Sequence, residues 1–141
     1  MTPITSRQVQ GDIYRFLQDS DLSAMVSGGV YRSGMRPRDS RLEDAVVTFV
    51  TGLADTGIQT GVVVVNIYVP DVDPYRNGVL TENSRRTEEI EAAAARWVTT
   101  LTCAKSNYKF RLAATIQTFE DSDIQQHFVT VRLGYEYWDG D

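Results

Sequence analysis

The sequence predicts a single α+β domain over residues 1–141, a mainly antiparallel sheet of about five strands with two α-helices packed on one face. Three observations carry that reading. Residues 61–70, GVVVVNIYVP, form the most apolar continuous stretch, and its β-branched and aromatic side chains suit a central strand covered on both faces. Two segments repeat apolar residues at helical spacing, near the N-terminus and in the second half, and the last segment alternates with a period of two. The order is helix, strands, helix, hairpin, without the βαβαβ alternation of an α/β protein.

Taken in order, Thr5 or Ser6 can cap a helix whose Val9, Ile13, Phe16 and Leu17 fall on one face. Leu22, Met25 and Val26 add one turn before Gly28-Gly29 forces an irregular path. Val30–Arg36 reads as a modest strand in which Gly34 signals a bulge or an edge, and Pro37 with Arg38-Asp39-Ser40 makes a polar turn. Residues 45–51, AVVTFVT, form a strand joined to the central valines by the hairpin loop GLADTGIQTG, so the two should pair antiparallel. After Pro70, DVDPYRNGVLT has the turn chemistry of a long surface loop.

Thr81 or Asn83 can cap the second helix, with Ile90, Ala94, Trp97, Val98 and Leu101 on its apolar face. Early acidic residues and the late Lys105 match the helix dipole, and Asn107 is a plausible stop. Phe110, Leu112, Ala114 and Ile116 alternate as a half-buried strand, which EDSDIQQ turns into the last one. There Val129, Val131, Leu133, Tyr135 and Tyr137 share a face. Both helices should cover one side of the sheet. The valine run offers apolar groups to the other side too, where another subunit or a loop of this chain would cover them.

Composition narrows the function classes. A hydrophobic content of 42% and a charged content of 23% are those of a soluble globular protein, and the longest apolar run falls short of the roughly 20 residues a spanning helix needs. The N-terminal MTPITSRQVQGD lacks the pattern of a signal peptide, so residence in a cytoplasm is expected. A formal net charge of −5 disfavours a surface that neutralises phosphates. One cysteine, Cys103, permits neither an intrachain disulfide nor a cysteine zinc site, and is expected to be a buried inert thiol.

Chemistry-bearing residues are sparse. His127 is the only histidine, so no multi-histidine metal site can be built within one chain, and a structural role near the start of a strand is expected for it. Asp71 and Asp73 at the end of the central strand could ligate a hard divalent cation. Pro70-Asp71 matches the first half of a metal-dependent nuclease pattern, but Cys103 and Asn107 stand where an acid should precede Lys105 and Lys109. Neither GxGxxG nor GxxxxGK[ST] occurs. Tyr75, Tyr108, Tyr135, Tyr137 and Trp138 would suit base stacking only on a protein of the opposite charge.

Two local patterns remain. Residues 36–47, RPRDSRLEDAVV, after Gly29-Val30-Tyr31-Arg32, and residues 65–71, VNIYVPD, resemble small structural proteins of tailed phages and prophages, of the tail-terminator or tail-completion kind. The likeness runs over roughly residues 5 to 137 in element order. It implies a non-enzymatic subunit, without cofactor or metal, that forms a homo-oligomeric ring, commonly of six. Such a ring caps the tail tube, joins it to the head-side connector proteins, and belongs to the virion after assembly in the bacterial cytoplasm. No membrane or specific nucleic-acid partner is implied. Another neck component, such as a head-closure protein, is the nearest alternative, and a small metal-dependent enzyme using Asp71 and Asp73 a more distant one. The family supplies no site residues. Loop position and residue type instead select Arg36, Arg38, Asp39, Asp71, Asp73, Tyr75 and Arg76 as candidate interface residues.

Overall fold

A computed structural model describes residues 2–55, 57–104 and 106–138. The elements are α1 (Ser6–Gln18), α2 (Asp21–Met25), β1 (Val30–Arg32), β2 (Ala45–Ala54), β3 (Ile58–Pro70), α3 (Ser84–Cys103), β4 (Tyr108–Leu112), β5 (Gln117–Asp121), a single 3-10 turn (Ser122–Ile124) and β6 (Gln126–Trp138). They make a six-stranded, mostly antiparallel sheet in the order β1-β2-β3-β6-β4, with β5 also on β6. The fold is α+β, as the sequence predicts.

The valine stretch is the centre of this sheet. β3 pairs with β2 on one side and, over its whole length from Ile58↔Trp138 to Pro70↔Gln126, with β6 on the other. Its alternation separates two environments: Val63, Val65, Ile67 and Val69 are buried, whereas Val62, Val64, Asn66 and Tyr68 on the opposite face are half-buried. Val129, Val131, Leu133 and Tyr135 of β6 continue the buried face. Against it lie Val9, Ile13 and Leu17 of α1 and Ile90, Ala94, Trp97, Val98 and Leu101 of α3, all buried. Each valine, leucine or isoleucine among them contributes about 1.5–3 kcal/mol when removed from water, so a charge at Val65 or Ile90 would break the fold.

Local chemistry starts both long helices. Thr5 accepts a hydrogen bond from the Gln8 N–H while the Gln8 side chain accepts one from the Thr5 N–H, a reciprocal capping box. Asn83 caps α3 by accepting from the Arg86 N–H at 3.3 Å. The first turn of α3 carries no acidic residue, because with Asn83 as the cap Glu82 lies before the helix and Glu88 and Glu89 lie after that turn. It ends at Cys103, four residues before Asn107. The Lys105 expectation lies outside the described residues.

Several boundaries move for identifiable reasons. β1 stops at Arg32 because the Met35 N–H bonds back to the Arg32 carbonyl and Gly34 takes φ +84°, turning the chain away. It pairs with β2 in parallel, which the sequence did not suggest. The predicted hairpin loop is mostly strand: β2 and β3 leave only residues 55–57 between them. The expected strand at Phe110–Ile116 holds only as the end of β4; residues 113–116 lie outside any strand and β5 begins at Gln117, so that β4 and β5 lie end to end along the same edge of β6. Cys103 is exposed, not buried; its place at the helix end beyond Leu101 puts it off the buried face.

The second face of the sheet is covered in part by this chain. The guanidinium of Arg36 lies 4.1 Å over the ring centroid of Tyr68, and Tyr68, Phe128 and Phe119 form an aromatic row with centroid spacings of 5.5 and 5.9 Å. No described helix is long and apolar enough to cross a membrane.

Candidate interaction site

β2 begins, β3 ends and β6 begins at the same end of the sheet, because Ala45 pairs with Ile67 and Pro70 with Gln126. Three connections meet there: residues 33–44, residues 71–83, and the turn at 122–125. Both groups of candidate interface residues are therefore brought to one end. What they do there differs.

The first connection is fastened by Asp44, whose side chain is 0% exposed. Its carboxylate accepts from the Gly29 N–H at 3.0 Å, from Arg36 Nε–H at 2.8 Å and from the Ser40 hydroxyl at 2.5 Å. Arg36 also donates to Gln126 Oε1 at 2.8 Å, and the buried Gln126 returns a bond from its Nε2 to the Ser40 carbonyl at 2.9 Å. Burial alone would raise the Asp44 pKa. The bonds from Ser40, Arg36 and Gly29 and the Arg36 charge outweigh it and hold the carboxyl below its ordinary value. Gly28 is required beside it, because a Cβ there would collide with the Asp44 carboxylate and the Glu43 carbonyl. Arg36, 13% exposed in its side chain, is thus held inside its own chain.

A second joint lies next to the first. Arg86 of α3 grips Glu43 with both arms of the guanidinium, Nε to Oε2 at 2.6 Å and Nη2 to Oε1 at 2.8 Å, and donates to the Met25 carbonyl and to Glu89 as well. Glu43 further accepts from the Ser27 N–H at 3.1 Å. The Glu43 bonds, against a smaller burial effect, raise the Arg86 pKa and keep it charged. This joint ties α3, the end of α2 and the start of β2 together.

The third joint holds the loop after β3. His127 Nδ1 is 2.6 Å from Asp71 Oδ1, and its Nε2 is 3.6 Å from Glu82. Thr87 donates to Glu82 at 2.6 Å. Asp73 is an internal turn residue: its two carboxylate oxygens accept from the Asn77 and Gly78 N–H groups at 3.0 and 2.9 Å. Val72 and Thr81 close the loop with two backbone bonds at 2.9 and 2.8 Å. No group of three His, Cys, Asp or Glu able to hold a metal ion occurs among the described residues.

The remaining candidates face outward. Arg38 and Asp39 are exposed, Tyr75 is 81% exposed at the tip of the second loop, and Arg76 beside it takes φ 54°, a conformation costly for an arginine. The site therefore has a hydrogen-bonded base and an unengaged crown. Sequence reasoning missed Glu43, Asp44, Arg86 and Gln126 as its structural members. Glu43 and Asp44 do lie within the pattern at 36–47, but nothing local pairs Arg36 with a residue 90 positions away.

No protein-family model matches the chain, and no curated protein does. Solved structures do match in fold. One is 14% identical at a TM-score of 0.52, with 99% of each chain covered, and its title names no activity. That likeness is one of architecture.

Proposed function

We propose that this chain is a non-enzymatic assembly subunit of a tailed phage or prophage virion, a tail-terminator-like protein. It would form a homo-oligomeric ring, commonly of six, between the tail tube and the head-side connector proteins. The observation that supports this is the division of labour at the loop end of the sheet. The groups best suited to chemistry, Asp44, Asp71, Asp73 and His127, are each engaged by partners in the same chain. The groups left free there, Arg38, Asp39, Tyr75 and Arg76, are of the kind that carries contacts between proteins. The resemblance in residues 36–47 and 65–71 supplies the partners, and both stretches serve the same framework.

Native mass spectrometry tests the reading directly. A closed oligomer of defined stoichiometry is expected, and a strictly monomeric chain at every concentration contradicts it. Calorimetric titration with Mg²⁺, Mn²⁺ and Ca²⁺ tests the enzymatic alternative: no uptake dependent on Asp71 is expected, since that carboxylate is 8% exposed and already bonded to His127.

A further inference from the structure

Two arginines, on α1 and β1, and two acids, on and after β5, carry opposite charge. At one edge, Arg32 ends β1 and Arg7 projects from the first turns of α1. Together with Arg15, Gly11 and Tyr137 they border an open cleft of about 550 Å³. Arg32 is half-buried and braced, its guanidinium 5.6 Å from the Tyr14 ring centroid. Gly11 leaves room for it, because a Cβ there would come within 2.7 Å of Arg32 Nη2. The one acid in the cleft, Asp12, is engaged by Arg15 and by the Tyr108 hydroxyl. At the other edge, Glu120 on β5 and Asp123 in the 3-10 turn are exposed, and Arg41 lies beside them, donating to the Ile124 carbonyl at 2.7 Å. None of Arg7, Arg32, Glu120 and Asp123 has an ion pair among the described residues.

Within one copy these charges cannot meet. β2, β3 and β6 stand between β1 and β5. We propose that the Arg7–Arg32 cleft of one copy receives the Glu120–Asp123 turn of a second copy. This rests on the reading that the chain assembles with itself, and names the surfaces. Guanidinium groups favour carboxylates through paired N–H···O bonds. Two different patches meet in such a contact, so it is heterologous: it repeats from copy to copy and closes into a ring when the rotation between copies allows.

Sedimentation velocity of the whole chain and two charge-reversed forms tests it. One form carries Arg7→Glu with Arg32→Glu, the other Glu120→Arg with Asp123→Arg. Each alone should associate at least about tenfold more weakly than wild type, as close charge pairs at interfaces do when broken. Mixing the two should restore association, because each form then meets its complement. Arg7→Glu alone, at an exposed position, should weaken association without disturbing the fold, and circular dichroism checks that both double forms remain folded. A wild type that assembles while the reversed forms assemble equally well, or forms that stay apart when mixed, overturns the proposed surfaces and leaves self-assembly standing. A wild type that never assembles overturns both.

Discussion

The two ends of the sheet are built on different principles. At the loop end, three polar joints, Arg36–Asp44–Gln126, Arg86–Glu43 and His127–Asp71, fasten long connections to the framework. At the hairpin end, only residues 55–57 separate β2 from β3, and Leu53, Ile58 and Trp138 of the strands there are exposed. Long loops lose much conformational freedom on folding, so they hold one shape only where specific bonds offset that cost. A short hairpin is shaped by its own ladder. The comparison shows that carboxylates clustered at a strand end need not signal catalysis. Here they hold loops still, and the loops present other residues.

Breaking the base of the loop end should cost most. Asp44→Ala leaves the enclosed Arg36 without its counter-charge, and an expected loss of about 3–5 kcal/mol is readable in urea denaturation. Because the folded pKa of Asp44 lies below its unfolded value, its contribution is complete above the ordinary carboxylate range. It is lost as pH falls through the folded value. Asp44→Asn should therefore flatten the fall in stability below about pH 4. Arg86→Ala breaks the neighbouring joint at a more exposed position and should cost about 2 kcal/mol. Asp71→Asn weakens only the bond to His127 and should cost about 1 kcal/mol. At the hairpin end, Leu53→Ser should change stability by no more than about 0.5 kcal/mol, since the side chain is 69% exposed. A large loss there would mean that the contrast between the ends is wrong.

Much of the fold was legible because it follows from periodicity. The central strand, the buried faces of α1 and α3 and the alternation of β6 are visible as spacings of 3.6 and 2. The parallel placement of β1 and the split into β4 and β5 were not, because they depend on which edge each short strand finds, and local pattern does not encode that. The site divides in the same way. Turn chemistry located the two loops and their exposed tips. That Arg36 and Asp71 face inward depends on Asp44 and His127, partners supplied by the folded chain, and residue type alone made them resemble surface groups.

In the proposed assembly, the residues that hold the loop end in shape and those that would meet a partner are different ones. Sedimentation velocity of the Tyr75→Ala, Arg76→Ala double variant beside Asp71→Asn tests this most directly, each alone and with the tail-tube protein that the proposed function would give it as a partner. If the proposed assembly is right, the double variant keeps the wild-type fold and oligomer but binds that protein more weakly, while Asp71→Asn loses stability and keeps its affinity once folded. Undiminished partner binding by the double variant would contradict it.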